Sequence, residues 1–415
     1  MSQSLAIQLA ERLRSEPLDL VRIAGEIAER SGYGLYLVGG AVRDLLLGQA
    51  NLDLDLVVEG DAVELARALQ RQAGGEVLTH PRFGTAKLRR GDLLIDLATA
   101  RAESYEHPGA LPTVRPSTIV DDLARRDFTI NAMAIHLDAS NFGRLVDPFG
   151  GQEDLSRKCV RVLHDNSFID DATRMLRAVR YEQRFDFRLD PATERLLRRD
   201  VSMLHTVSGD RTRHEVELIL REPCPEKALA RAEGLGLLAQ IHPSLRGNGW
   251  VAEKFRTARA TAHPPALGLY LSILVYHFTD QEVEDLATAL KLPGATARVI
   301  RDSVRLRQSL HALETPELSP STAYRFLEDY SPTSILACAI ASDSPLVQTR
   351  LKLYLDRWRH VKPSLDGQAL QRMGIPPGPR IGRMLRALLE ARLDQRVRTR
   401  SEEANLVRLW MSQEK

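Results

Sequence analysis

Two periodicities divide the chain. Up to about residue 137, apolar residues fall in short runs separated by turn residues; beyond about 150 they recur every three or four positions. Short runs bounded by Gly, Pro, Asn or Asp predict strands, and the longer period predicts helices. Strands are expected at 34–38, 52–58, 84–90, 93–98 and 131–137, with a helix at about 61–73 and one or two short helices within 1–31. TAKLRR and LLIDLAT flank Gly91-Asp92 and read as a hairpin. The proline-bearing stretch Arg101–Pro116 reads as a loop. Helices are expected at 168–184, 191–200, 210–221, 225–236, 265–276, 280–291, 295–312, 320–328, 332–342, 345–359, 381–393 and 402–413. The pattern is an α+β head followed by an all-helical body, with no internal repeat.

Composition narrows the class. A chain of 415 residues that is 43% hydrophobic builds real cores, yet holds no run apolar enough to span a membrane. The N-terminal MSQSLAIQLAERLRSEP has no apolar signal core, so a cytoplasmic setting is expected. Cys159, Cys224 and Cys338 are three and far apart, which fits neither a disulfide framework nor a zinc site. The net charge of +2 hides an asymmetry: Leu346–Arg400 carries 13 Lys and Arg against Asp356, Asp366, Glu390 and Asp394. A basic C-terminal region suits a polyanion such as nucleic acid, although a solvated helical face has the same composition.

The densest chemistry lies in LYLVGGAVRDLLLGQANLDLDLVV, residues 35–58. Gly39-Gly40 permits close backbone approach to a ligand at a helix start, and Arg43 follows on that helix. Residues two apart in a strand share a face, so Asp53 and Asp55 are expected to point together. Paired carboxylates repel, and a hard divalent cation relieves the repulsion. A metal pair beside a glycine turn points to nucleotidyl transfer, with Gly40 and Arg43 at the triphosphate. Asp96 on the neighbouring strand is either a third ligand or base, or a partner for a neighbour such as Arg101. In Arg125–Ala134 (RRDFTINAMA), Arg126 suits a phosphate, Asp127 can accept from a ribose hydroxyl, and Asn131 can brace either. Finally, Asp171, Arg174, Arg177 and Arg180 recur every three residues and form a winding stripe on a helix. Such stripes usually face solvent. Yet Asp171 beside Arg174 sets an acceptor beside a donor, which complements N4–H and N3 of cytosine and N6–H and N1 of adenine. Uracil and guanine present the reverse and leave both protein groups unpaired, at about 1–3 kcal/mol each. Arg177 and Arg180 then lie toward the phosphates.

In order, GGAVRD, D-L-D, RRDFTINAMA, DPFGG (Asp147–Gly151), DDATRMLRAVRY and the helix with Asp210, Arg211, Arg213 and Glu215 resemble the motifs of class II tRNA nucleotidyltransferases and their poly(A) polymerase relatives. The resemblance is strong over 35–245 and loose beyond. It implies a nucleotidyltransferase head related to DNA polymerase beta at 1–150, a base-reading helical neck at 151–222, a body at 223–330 and a tRNA-binding tail at 331–415. It implies Mg2+ on Asp53 and Asp55, with Gly40, Arg43, Arg126, Asp127, Asp171, Arg174, Arg177 and Arg180 around the nucleotide. The implied reaction adds C and/or A from CTP and ATP to the tRNA 3′ end. The neck opens with Asp170-Asp171 where the family often has Glu-Asp. The loop at Arg101–Pro116 has the form found in longer family members, which leaves open an enzyme that adds only A. Poly(A) polymerase is the rival enzyme, and a non-catalytic RNA-binding protein is the rival from another class. His164-Asp165 is a weak hint of a phosphohydrolase pair. Gly374–Gly382, leading to Arg380, Arg383 and Arg386, is expected to meet an RNA backbone.

Overall fold

The computed structural model describes residues 4–13, 15–49, 53–104 and 113–413, and these fall into two compact units. The first comprises residues 1–215 and 234–240, the second 216–233 and 241–415.

The first unit is built on a seven-stranded mixed sheet. Its strands are β1 (Gly34–Val38), β2 (Leu54–Glu59), β3 (Glu76–His80), β4 (Thr85–Arg90), β5 (Leu93–Thr99), β8 (Ala134–His136) and β9 (Leu145–Val146), in the spatial order β3-β4-β5-β2-β1-β8-β9. β2 and β5 are parallel and every other pair is antiparallel. Between β5 and β8, β6 (Arg101–Ser104) and β7 (Thr113–Pro116) pair as a separate two-stranded ribbon. Two helices, α2 (Ser15–Arg30) and α4 (Ala62–Ala73), pack against each other and against the sheet. The helix α4 starts where Asp61 accepts from the N–H groups of Val63 and Glu64, at 2.8 and 3.0 Å, and ends at Gly74 with φ +77°.

Alternation along the strands sorts the two faces. The register pairs Leu35 with Val58 and Leu37 with Leu56, all fully buried. Tyr36, Val38 and Val57 share the opposite face and pack with Ala100, Ile119, Leu123, Ala132 and Ala134. Asp55 belongs to this second face, so the pleat that buries Leu54 and Leu56 presents Asp55 on the side where the RRD segment packs.

Several sequence expectations change. The second strand begins at Leu54, and Leu52 lies outside the described residues. The Asp55 N–H donates to the Asp53 carbonyl at 3.1 Å, a local turn that stops the strand short of Asp53. Strict two-residue alternation therefore does not reach Asp53. The expected strand at 131–137 is a 3-10 turn, Thr129–Asn131, followed by the shorter β8, because Asn131 is tied back to Asp127. The stretch read as a loop at 101–116 pairs at both ends as β6 and β7; residues 105–112 lie outside the described set. The edge strand β3 was not expected. Beyond 150, Cys159–Val160 and Arg188–Leu189 form a small parallel pair, where no strand signal was read. The run 168–184 breaks into α7 (Ser167–Asp170) and α8 (Thr173–Arg184), with Asp171 extended at φ −145° and ψ 97°.

The second unit is helical, and its expected helices occur within a few residues of their expected ends. Gly249–Thr261 is an added helix. One core gathers Leu306, Leu313, Leu327, Ile335, Cys338, Val347 and Leu351; another gathers Leu365, Leu370, Ile375, Leu388 and Val407. Of the tail arginines, Arg386 is held by Glu328. No helix among the described residues is long and apolar enough to cross a membrane.

Candidate active site

β1 ends at Val38 and is followed by Gly39, whose φ of +65° an L side chain rarely adopts. A Cβ there would also meet the Arg126 guanidinium, so the backbone favours glycine and any side chain would push Arg126 aside. The helix α3 (Gly40–Leu46) begins immediately after and carries Arg43. Arg43 is buried; its Nη1 donates to Asn131 Oδ1 at 2.5 Å and its Nε to Asp44 at 2.8 Å. Its guanidinium lies 4.6 Å from the Phe185 ring centre and 5.3 Å from that of Tyr181.

From Asn131 the network continues to Asp127. This buried carboxylate accepts from Asn131 Nδ2 at 3.0 Å, from the Phe128 N–H at 2.9 Å and from Arg177 Nε at 2.8 Å, with Arg177 Nη2 at 2.6 Å. Burial alone would raise its pKa; the Arg177 charge, the Asn131 hydrogen bond and the Arg174 charge outweigh it and hold the carboxyl below its usual range. Arg177 and Arg180 both approach Glu215, at 3.9 and 3.6 Å. Burial pushes the Glu215 carboxyl up, against the pull of those two arginines.

A second network holds the other side. Fully buried Asp122 takes Arg125 at 2.7 Å and Arg126 at 3.1 Å. Arg125 also reaches Glu103 on β6 at 3.0 Å, and Glu103 takes Arg101 at 3.0 Å. Arg174 donates to Ser167 Oγ and to the Arg125 carbonyl, each at 2.8 Å. Asp171 accepts from the Thr173 hydroxyl and from Arg211, each at 2.7 Å. The break between α7 and α8 frees Asp171 from the helical stripe, so it reaches Arg211 rather than Arg174.

These groups line one cavity of about 480 Å³: Gly40, Arg43, Asp55, Glu103, Arg125, Arg126, Asp127, Asn131, Asp171, Arg174, Arg177 and Tyr181. Its size suits one nucleotide.

Comparison with known proteins places the fold. Residues 35–161 match the Poly A polymerase head domain, and residues 186–247 match the probable RNA and SrmB- binding site of polymerase A. An A-adding tRNA nucleotidyltransferase of Halalkalibacterium halodurans is 36% identical over 91% of this chain and 89% of its own length. The A-adding tRNA nucleotidyltransferase of Geobacter sulfurreducens is 37% identical over 93% of this chain, which spans 46% of that longer protein. The structure of the Thermotoga maritima CCA-adding enzyme complexed with tRNA superimposes with a TM-score of 0.81 at 34% identity, covering 99% of both chains.

The chain belongs to the class II tRNA nucleotidyltransferase family. It is therefore a nucleotidyltransferase, and the family generally uses divalent metal ions. Of the residues singled out in the sequence, Gly40, Arg43, Asp55, Arg126, Asp127, Asp171, Arg174 and Arg177 meet on the cavity wall. Asp53 is exposed just before β2, and Arg180 sits behind Arg177 against Glu215 and 4.8 Å from the Tyr181 ring centre; neither lines the cavity. Glu103, Arg125 and Tyr181 line it without having been singled out for roles. Glu103 and Arg125 carried no signal of their own, because their pairing depends on β6 returning beside the helix Ile119–Ala124. Tyr181 sits in the DDATRMLRAVRY motif, where it was read only as helix.

The donor chemistry fits a hard divalent ion. Asp55 is exposed to the cavity, yet the protein around it strips enough water to raise its carboxyl, and the charges of Asp96 and Asp53 raise it further, while Arg126 opposes them. This is the carboxylate repulsion that a cation relieves. Asp96 lies in register with Asp55 but is held by Lys87 at 2.9 Å, not by Arg101. Among the described residues no group of three or more His, Cys, Asp or Glu forms a metal cluster. Two carboxylates suit Mg2+ better than an all-protein cage, because Mg2+ keeps waters and takes phosphate oxygens of its substrate. Among the described residues His164 approaches Asp170, at 3.6 Å, and its direct ion pair is with that residue and not with Asp165.

Proposed function

We propose that the chain extends the 3′ end of tRNA with C and/or A, and that its principal reaction is addition of the terminal A from ATP to a CC-ended tRNA. The observation that carries the reading is the single 480 Å³ cavity in which phosphate-binding cations, Asp55 and the Asp171/Arg174 edge converge. The A-adding names of the Halalkalibacterium and Geobacter relatives favour A as the nucleotide. A second reading, synthesis of all of CCA from CTP and ATP, is favoured by the end-to-end match to the Thermotoga CCA-adding enzyme.

In this mechanism Arg43, Arg126 and Arg177 hold the triphosphate, and Gly40 opens α3 beside it. Asp127 accepts from the ribose while bracing Arg177. Asp171 and Arg174 read the base edge, which requires Arg211 or Thr173 to release part of the Asp171 carboxylate. Arg180, through Glu215, positions Arg177 rather than touching the nucleotide. Asp53 and Asp55 would hold Mg2+, which when bound lowers the pKa of the attacking tRNA hydroxyl and neutralises charge on departing pyrophosphate. Asp127 and Asn131 keep Arg43 and Arg177 fixed while that charge develops, so no reorganisation is needed at the moment of transfer. In this reading the chain divides into head 1–150, neck 151–222, body 223–330 and tail 331–415. The basic tail holds the tRNA so that growth stops at a fixed length, and the setting is cytoplasmic.

The test offers tRNAs ending before CCA, after one C and after CC, each with CTP, ATP or both, and sequences the products. Extension of only the CC-ended tRNA by ATP establishes the A-adding reading. Complete CCA on the shortest tRNA establishes the second. Unlimited A tails on generic RNA refute both in favour of a poly(A) polymerase.

A further inference from the structure

A second cavity of about 620 Å³ opens in the first unit, away from the nucleotide site. Its walls come from the start of α4, the short 3-10 turn Pro81–Phe83, the end of β5 and the ribbon β6–β7. Three exposed guanidinium groups face it, Arg67, Arg82 and Arg115; none is held by a direct hydrogen bond or ion pair among the described residues, and Arg115 only feels the more distant charge of Asp121. Arg43, Arg126, Arg174 and Arg177 in the first cavity are by contrast all held by named partners. The carboxylate among the described lining residues, Asp61, is already used to cap α4. Between the cations Phe83 leaves 62% of its surface in solvent, with Arg82 5.9 Å from its ring centre.

Exposed cations without a direct carboxylate partner, set around an exposed ring, match single-stranded nucleic acid: the cations track phosphates and the ring stacks a base. A duplex keeps its base faces covered and could not use Phe83. The position supports the same occupant. Arg101 lines this cavity and its guanidinium is bound to Glu103, which lines the nucleotide cavity. The two residues lie two apart on β6, about 7 Å along the strand. The cavities thus share one strand as a wall.

We propose that this cavity is a subsite for the unpaired acceptor nucleotides just upstream of the growing 3′ end, with Phe83 as the stacking platform and Arg67, Arg82 and Arg115 on the backbone; this rests on the tRNA-extension reading above. The strand enters over Phe83, passes the Arg101–Glu103 wall and delivers its terminal hydroxyl to Asp55. Every new nucleotide shifts the preceding ones along the subsite, so the subsite reads the length of the unpaired end and not its sequence.

The experiment uses the full chain and a CC-ended tRNA. Binding is followed by fluorescence anisotropy from 50 to 200 mM salt, alongside steady-state KM for tRNA and for ATP. The triple variant Arg67→Ala, Arg82→Ala, Arg115→Ala should flatten the plot of log Kd against log salt by about 2, since each single-strand phosphate contact contributes about 0.7. Phe83→Ala should weaken tRNA binding roughly 5- to 150-fold and raise KM for tRNA but not for ATP. Phe83→Tyr and the Arg→Lys triple should restore most of each effect, which a folding defect would not allow. A tRNA trimmed of its unpaired end should bind wild type and Phe83→Ala alike. Unchanged salt slope and unchanged KM for tRNA in variants that melt like wild type overturn the subsite alone. A wild-type chain that extends no tRNA overturns the function and the subsite together.

Discussion

Asp127 is the point at which stability and chemistry are most tightly joined, and Asp127→Ala should show it. The carboxylate is 6% exposed and accepts from Phe128, Asn131 and both Nε and Nη2 of Arg177. Its loss leaves Arg177 facing Glu215, 3.9 Å away, as its remaining carboxylate among the described residues, and it frees Asn131 from one side of its bridge to Arg43. Removing one partner of a buried, hydrogen-bonded ion pair costs about 3–5 kcal/mol. For a unit of this size about 1 kcal/mol moves Tm by about 2–4 °C, so a drop of about 6–20 °C is expected. The same effect has a pH signature. The folded carboxyl lies below its usual range, so its contribution is full above the unfolded pKa of about 3.9 and is lost as pH falls through the lower folded value. Melts of wild type and variant, run from neutral pH down to about pH 2, should therefore converge at the acid end. Binding of an ATP analogue, read by the Tm rise it produces, should weaken in the variant because Arg43 and Arg177 both lose their brace. A loss below about 1 kcal/mol at neutral pH, or a gap that widens in acid, would refute the reasoning.

Asp55→Asn should remove activity while leaving the fold as stable as wild type to within about 0.5 kcal/mol, or more stable, because the charge it removes is one the folded chain disfavours; matched melts and primer extension check this, and a large Tm loss would make Asp55 structural. Asp171→Asn replaces an acceptor-only group by one that also donates, so preference for ATP over GTP should fall by roughly 5- to 150-fold in competition assays, with overall stability little changed. Gly39→Ala combines a φ of +65° with a collision against Arg126. It should cost at least about 1–2 kcal/mol and raise KM for ATP, whereas a neutral substitution would mean that the backbone can leave this φ and that Arg126 is free to move.

The sequence by itself determined the order of elements and much of the chemical inventory. Helical period is a local property, so the helix 191–200 was legible to the residue, and its cause is visible in the cap of Asp190 followed by Pro191. The glycine turn, the RRD segment and the arginine-bearing neck were legible as types of chemistry because each occupies a few adjacent positions. The tertiary structure decided which of them meet. Arg43 and Asn131 are 88 residues apart, and Asp127 and Arg177 are 50 apart. Nothing in either neighbourhood states the partner, since a hydrogen bond is set by distance in space and not by spacing along the chain. The same reason explains where the contacts depart from the periodic pattern. Asp171 was assigned to a continuous helix, but Thr173 and Arg211 compete for its carboxylate, and the backbone breaks there. Arg180 carried the same periodic signal as Arg174 and Arg177, yet Glu215, reached only when the following helix folds back, holds it behind the cavity. Local pattern states what a residue can do, and the sheet and its packed helices settle which partner it has.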